Sequence, residues 1–198
     1  MTIFAKIKIK SRKKKLASMY KNRQSNNVSD AALKKEIALL YDLAALYDKN
    51  KLNKHIPHAE QLALETYRAA ASLNDINAQY IVGMRLLEQG KFWEGLRHSF
   101  WANKIHDKYA EEKFKEAYHY LNSAEAAGNP LAKRLKGVAL INGWGVSKDS
   151  DHGFQLIVES IDQEGSWDRA TKLFEELHLN KPEFFSSIMS AKKSRHGG

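Results

Sequence analysis

The sequence Ala124-Glu125-Ala126-Ala127-Gly128-Asn129-Pro130-Leu131-Ala132 decides the fold. Its alanines predict the end of one helix, the Gly-Asn-Pro run predicts a turn, and the apolar residues that follow restart a helical period. Farther along, Gly137 and the run Gly143-Trp144-Gly145-Val146 add more glycines. Alanine and glycine at helix contacts let two helices pack closely, as in stacked helical repeats. The stretch therefore predicts two packed helices joined by a tight turn.

This pattern recurs along the chain. A glycine, a large apolar residue and a second glycine stand at three-residue steps at Gly137, Leu140 and Gly143. Weaker copies and their turns lie elsewhere: Gly83, Leu86 and Gly90; Ala44, Tyr47 and Asn50; and the turn residues Asn74, Gly128 and Gly165. The copies indicate a repeat unit of roughly forty residues, typical of stacked helical pairs, with extra residues in the middle copy.

The repeat resembles the Sel-one-like repeat family, a branch of the tetratricopeptide-type αα-solenoids. The resemblance is strongest over residues 117–165, and residues 66–90 also fit. The matching residues of the first stretch are Tyr120, Ala124, Ala126, Ala127, Gly128, Ala132, Leu135, Gly137, Gly143, Gly145, Val146 and Asp149. The resemblance implies an all-α fold, a right-handed αα-superhelix (solenoid) of about three helix pairs with one helical insertion and a terminal capping helix.

Helical spacing divides the chain into an arm at residues 1–28, a repeat domain at residues 29–178 with an insertion at 91–106, and a tail at 179–198. Ser29 is expected to cap a helix that Asn50 ends in the left-handed conformation. Gly90 is expected to end another helix, and the insertion is expected to form a separate one. Residues 192–198 are expected to fray.

Composition is that of an ordinary globular protein, with 43% hydrophobic and 28% charged residues. With no cysteine, disulfides and cysteine-ligated zinc are excluded, which fits a reducing, cytoplasmic location. No stretch approaches the roughly 18 apolar residues of a membrane span. Residues 1–5 are too short for the apolar region of a signal peptide. Recruitment to a membrane-associated complex stays open.

The net charge of +9 is unevenly distributed. Nine of the 32 basic residues lie before position 31, whereas only one of the 23 acidic residues does. The rest of the chain is nearly neutral, which argues against a large nucleic-acid-binding face on the folded body. Like charges repel and little apolar surface accompanies them, so a mostly flexible arm is expected. The arm's main cations are Lys6, Lys8, Lys10, Arg12, Lys13, Lys14 and Lys15.

The arm has several possible roles. It is either a solvated tail or a binding segment for an acidic protein surface or an anionic membrane. Nucleic acid is a less favoured partner, because Tyr20 is the only aromatic residue in the arm's later part and stacking on bases needs more.

Aromatic residues mark the insertion. Phe92, Trp93, Phe100 and Trp101 supply more aromatic area than a short surface helix requires, and tryptophan is enriched among binding anchors. The alternative is that they pack on the neighbouring repeat as ordinary core. Inward-facing tyrosines are further protein-binding candidates that could equally fill the core: Tyr41, Tyr67, Tyr80 and Tyr120.

Signals for chemistry are weak. His55 and His58 flank Ile56 and Pro57 in a linker, so surface histidines are favoured over a metal site. The glycines of residues 143–148 lack the preceding strand and the spacing of a phosphate-binding loop. No serine-histidine-aspartate or paired-acid arrangement stands out. The sequence therefore predicts no catalytic residue, metal, cofactor or small-molecule substrate.

Two functions remain. The leading hypothesis, which the resemblance implies, is a non-catalytic protein–protein interaction scaffold or adaptor in a bacterial intracellular complex, with secretion or host-interaction machinery as a family-level example. The alternative is a nucleic-acid- or anionic-membrane-associated protein that uses the basic arm.

Overall fold

The computed structural model describes residues 2–25, 28–50, 56–96 and 104–196. Within these ranges the secondary structure is helical and no strand is present, which confirms the all-α class. The helices are α1 Thr2–Ser25, α2 Asp30–Lys49, α3 Ala59–Ala71, α4 Ile76–Gly95, α5 Lys104–Ala126, α6 Pro130–Asn142, α7 Ser150–Glu164, a 3-10 turn Trp167–Arg169, α8 Ala170–Glu176 and α9 Pro182–His196. The chain divides into two compact units, Met1–Val82 and Gly83–Gly198.

In the first unit, α2 packs against both α1 and α3. Ser29 caps α2 as expected, since its side chain accepts a hydrogen bond from the backbone N–H of Ala32. The core contains Leu43, Tyr47, Ile56, Ala59 and Ala63. The small side chains of Ala59 and Ala63 let α3 approach α2 closely.

The structure places Thr2–Ser25, which the sequence predicts as part of a mostly flexible arm, in one continuous helix. Its half-buried positions alternate at four- and three-residue steps, which places them on one stripe facing the rest of the unit. The stripe consists of Ala5, Ile9, Arg12, Leu16, Met19 and Arg23. Two residues of this stripe are arginines, which the basic composition of the arm predicted to be exposed to solvent.

One turn prediction is wrong and another is confirmed. Asn50 is not left-handed: its φ is −114°, and its side-chain amide donates to the Leu46 carbonyl at 2.7 Å. Asn74, however, has a φ of +61°, in the region of Gly128 at +91° and Gly165 at +62°. Asparagine tolerates this conformation better than most residues. Asn74 therefore replaces the glycine of the repeat turn, as the pattern predicted.

The predicted end of a helix at Gly90 is also wrong, because α4 continues to Gly95. Gly90 packs against α5: a Cβ there would lie 2.5 Å from ring carbons of Phe114. Gly83 similarly faces Leu121, with 2.7 Å between a Cβ and the leucine Cγ. These glycines serve helix contact. Of the predicted insertion, residues 91–95 belong to α4 and residues 104–106 to α5, while residues 97–103 lie outside the described residues.

In the second unit, α6 packs extensively on α7, and α5 and α9 flank this pair. Gly137 and Gly153 lie at the contact, where each would place a Cβ 2.6 Å from the other's carbonyl oxygen. Lys133 and Arg134 of α6 form ion pairs with Glu159 and Glu164 of α7. Glycine at both positions lets the two backbones touch.

The predicted tail is structured as far as His196. After α8, Leu179 is buried and α9 buries Ile188 and Ala191 in the core formed with α7. Phe184 lies with its ring centroid 5.5 Å from that of Phe154. Residues 192–196, which were expected to fray, form the end of α9, and Gly197 and Gly198 lie outside the described residues.

Candidate protein-binding surface

A cluster of aromatic side chains joins the end of α4 to the start of α5. The Trp93 ring lies 5.4 Å from the rings of both His106 and Tyr109, tilted by 32° and 35°. His106 and Tyr109 stand three residues apart, so they are neighbours on one side of α5. Phe92 contacts Trp93 edge-on at 5.5 Å. With Ile105, these four residues are called the aromatic surface below.

The outer members of the aromatic surface face solvent. Phe92 is 62% exposed, Ile105 is 58% exposed and Tyr109 is 45% exposed, whereas Trp93 and His106 are half-buried beneath them. Single exposed apolar residues are common, but contiguous apolar patches mark interaction sites. The arrangement of a half-buried tryptophan with exposed aromatic neighbours is that of a binding anchor.

A second aromatic pair holds α4 in place next to this surface. Trp144, in the turn after α6, stacks on Phe114 of α5 with ring centroids 5.1 Å apart and an angle of 11°. Its indole N–H donates to Glu94 at 3.0 Å, and the Lys91 ammonium lies 5.1 Å from the ring centroid. These contacts hold one side of the last turn of α4 against Trp144, so Phe92 and Trp93 project from a supported helix end.

The structure places the other predicted site residues differently. Phe100 and Trp101 lie outside the described residues, as do His55 and His98. Tyr41 and Tyr67 belong to the first unit, where their rings meet edge-on at 5.5 Å. Tyr80 and Tyr120 are half-buried. Tyr120 lies about 16 Å from Tyr109 along the axis of α5, at 1.5 Å per residue, so it is not part of the aromatic surface.

Tyr41 is a structural residue of the first unit. Its hydroxyl donates to the Asp75 carboxylate at 2.7 Å, and Asp75 also accepts from the backbone N–H of Ala78 at 2.7 Å. Burial raises the pKa of the Tyr41 phenol well above its usual range, and the hydrogen bond and charge of Asp75 raise it further. Tyr41 is half-buried and Tyr67 is buried. The core interpretation therefore fits these two tyrosines.

The basic residues of α1 separate into two groups. Arg12 turns toward α2 and pairs with Asp42 at 3.5 Å. Six lysines that the sequence grouped with Arg12 are exposed: Lys6, Lys8, Lys10, Lys13, Lys14 and Lys15. The cations available to a partner on this helix are therefore lysines.

Within the part of the chain that the structure describes, no three histidine, aspartate or glutamate side chains are grouped so that they could hold a metal ion. An apolar cavity of about 420 Å³ lies beside Phe174, Leu179 and Pro182. A smaller cavity of about 230 Å³ is lined by residues of both charges, including Arg134, Glu164 and Arg169. Neither cavity contains a recognisable catalytic arrangement among its lining residues.

Sequence reasoning missed Tyr109 and did not assign Ile105 or His106 to this site. The available signal was their spacing: residues 105 and 109 stand one helical turn apart directly after the aromatic-rich segment. The prediction that Gly90 ends a helix obscures this signal, because it places Phe92 and Trp93 in a separate helix and not at the end of α4.

Neither a scan against protein-family models nor a search of the curated proteins finds a match to this chain. The resemblance to Sel-one-like repeats therefore stays a prediction from the residue pattern. Among the described helices, none combines the length and apolar character needed to cross a bilayer.

Proposed function

We propose that this chain is a non-catalytic helical adaptor that binds a protein partner through the aromatic surface. The observation that carries the proposal is the exposure of Phe92, Ile105 and Tyr109 around the half-buried Trp93. Aromatic residues that combine large area with few rotatable bonds are the usual anchors of protein interfaces. The expected partner presents aliphatic or aromatic side chains to this surface.

The packing of the second unit supports the proposal. Trp144 and Phe114 brace the last turn of α4, so binding would require little ordering of that helix. Preorganised anchors bind more tightly because less conformational entropy is lost on association. A rigid aromatic surface therefore suits recognition better than a flexible segment with the same residues would.

The repeat architecture is part of the proposal. The left-handed residues Asn74, Gly128 and Gly165 occur at corresponding turns, which supports repeated helix pairs. The right-handed superhelix is what the resemblance adds to this proposal. The resemblance to Sel-one-like repeats extends the proposal to a bacterial cytoplasmic complex. In such folds, partner proteins dock on surfaces that several helices share.

Affinity capture with matched variants tests the proposal. The immobilised full chain is compared with Phe92→Ser/Tyr109→Ser and with Met189→Ser, which removes an exposed apolar side chain elsewhere in the second unit. The double change is expected to abolish retention of the partner at an unchanged melting temperature, and the control should retain it. Equal retention by all three proteins would contradict the proposal.

A further inference from the structure

The helix α1 has an unusual charge composition. Its 24 residues include nine lysines or arginines and no aspartate or glutamate. The other helices of the first unit, α2 and α3, both contain acidic residues. A helix of this composition repels other basic surfaces and attracts anionic ones.

The inward side of α1 uses its two arginines. Arg12 pairs with Asp42 at 3.5 Å, and Arg23 lies 3.9 Å from the buried carboxylate of Glu36. Ala5, Ile9 and Leu16 pack against the core of the first unit. These contacts attach α1 to the unit and determine which side of it faces solvent.

The outward side begins with apolar residues. Ile3 is 71% exposed, Phe4 is 72% exposed and Ile7 is 59% exposed. Ile3 and Ile7 stand one turn apart and Phe4 is adjacent, so the three form one patch over the first two turns. Because the inward stripe already packs on α2, this patch has no role in the core of the unit.

Lysines surround and extend this patch. Lys10 and Lys14 continue the line of Ile3 and Ile7 at three- and four-residue steps, and Lys6 and Lys8 flank it. We define the outward face of α1 as Ile3, Phe4, Ile7, Lys10 and Lys14. The face thus begins with apolar side chains and continues with cations.

We propose that the outward face of α1 docks on an anionic membrane surface. Ile3, Phe4 and Ile7 would enter the boundary between headgroups and acyl chains, and the lysines would contact lipid phosphates and carboxylates. Lysine stems can lie along the apolar boundary while their ammonium groups reach the headgroups. This surface is separate from the proposed protein-binding function and does not depend on it.

The choice of residues favours a membrane over a protein or a nucleic acid. The exposed cations of α1 are lysines, whereas protein interfaces are enriched in arginine and depleted of lysine. Nucleic-acid recognition favours arginine and stacked aromatic rings. Isoleucine has no ring to stack on a base, so two of the three exposed apolar residues would contribute nothing to binding RNA.

Vesicle sedimentation with the full chain tests this proposal. Vesicles of phosphatidylcholine with about 30 mol% phosphatidylserine are compared with pure phosphatidylcholine, and binding to the anionic vesicles should be at least ~10-fold tighter. Ile3→Ser/Phe4→Ser/Ile7→Ser should lower the affinity by ~10-fold or more, because the apolar insertion is lost. Met189→Ser, which removes an exposed apolar side chain outside α1, is the matched control and should bind as the unchanged chain does.

An environment-sensitive fluorophore adds a readout of position. The chain has no cysteine, so Phe4→Cys and Glu60→Cys each provide a unique attachment site. The probe at residue 4 should shift to the blue on anionic vesicles, and the probe at residue 60 should not. Circular dichroism of the triple serine variant verifies that its helix content is unchanged, as expected for exposed positions.

Three results would overturn the proposal. The first is wild-type affinity of the triple serine variant for anionic vesicles. The second is an unshifted probe at residue 4 in the bound state. The third is an absence of vesicle binding, with or without binding to a short RNA, which would assign the lysines to nucleic acid or to solvent.

Discussion

Gly137 and Gly153 face each other where α6 packs on α7. A Cβ on either residue would lie 2.6 Å from the carbonyl oxygen of the other. At this contact even a methyl group would force the helices apart.

Alanine substitution at this contact should therefore destabilise the chain. Gly137→Ala or Gly153→Ala is expected to lower the free energy of unfolding by ~1–3 kcal/mol, although alanine has the higher helix propensity. The measurement is urea denaturation followed by circular dichroism. Gly95→Ala is the control, because a Cβ at Gly95 meets no atom within 4 Å. Equal stability of Gly137→Ala and Gly95→Ala would refute the close-contact interpretation.

The left-handed turn at Asn74 leads to a second prediction. Asn74→Val should cost ~1–2 kcal/mol because a β-branched residue at a φ of +61° is strained. Asn74→Gly should be neutral or stabilising, since glycine adopts this conformation freely. Thermal denaturation distinguishes the variants, with Ser72→Val as a control at a φ of −67°. A Tm for Asn74→Val equal to that of Ser72→Val would argue against a left-handed turn conformation at Asn74.

Tyr41 should make stability depend on pH at the alkaline end. Folding raises the pKa of the Tyr41 phenol above its unfolded value of about 10. The stability that this phenol contributes is therefore fully present below about pH 10 and declines as the pH rises above it. Tyr41→Phe should cost ~1 kcal/mol near neutrality through loss of the bond to Asp75.

The test compares denaturant unfolding of the two proteins on both sides of pH 10, with Tyr20→Phe as an exposed control. The stability difference between wild type and Tyr41→Phe should shrink above about pH 10, the pKa of an ordinary tyrosine. A difference that stays constant across this range would mean that Tyr41 does not titrate differently in the folded chain.

The attachment of α1 is testable through its two arginines. Arg12→Gln/Arg23→Gln should increase hydrogen exchange of the α1 amides, because the ion pairs with Asp42 and Glu36 are lost. The Arg12–Asp42 pair is exposed on the Asp42 side and contributes only ~0–1 kcal/mol. Loss of Arg23 also removes a cation from the buried Glu36 carboxylate, so the amides of α2 near Glu36 should exchange faster as well. Lys10→Gln/Lys14→Gln removes the same charge from the outward face and should leave exchange unchanged. Rapid exchange of α1 in the wild type would restore the flexible-arm prediction.

Local signals predicted much of the fold. The turn at Gly128, Asn129 and Pro130 depends on conformational preferences of adjacent residues, so the sequence alone identifies it. The start of α2 at Ser29 is predictable for the same reason. Such features need no knowledge of which helices meet.

Features that depend on tertiary contact were missed. A glycine at position 90 fits both the end of a helix and a close contact with Phe114. Only the position of the neighbouring helix α5 distinguishes these two roles. The stripe of α1 includes Arg12 and Arg23, whose acceptors lie on α2. The aromatic composition predicted Phe92 and Trp93 as site residues. Their partners on α5 could not be predicted, because that prediction depends on knowing that α4 continues past Gly90.

Site-specific photocrosslinking tests the central claim, protein binding by the aromatic surface, most directly. A photoreactive phenylalanine analogue is placed at Phe92 or, as a control, at the exposed Met189 of α9. The proposal predicts a discrete protein adduct at position 92 that excess wild-type chain competes away and that excess Phe92→Ser/Tyr109→Ser chain does not. Identical adducts from both positions, or equal competition by both chains, would contradict it.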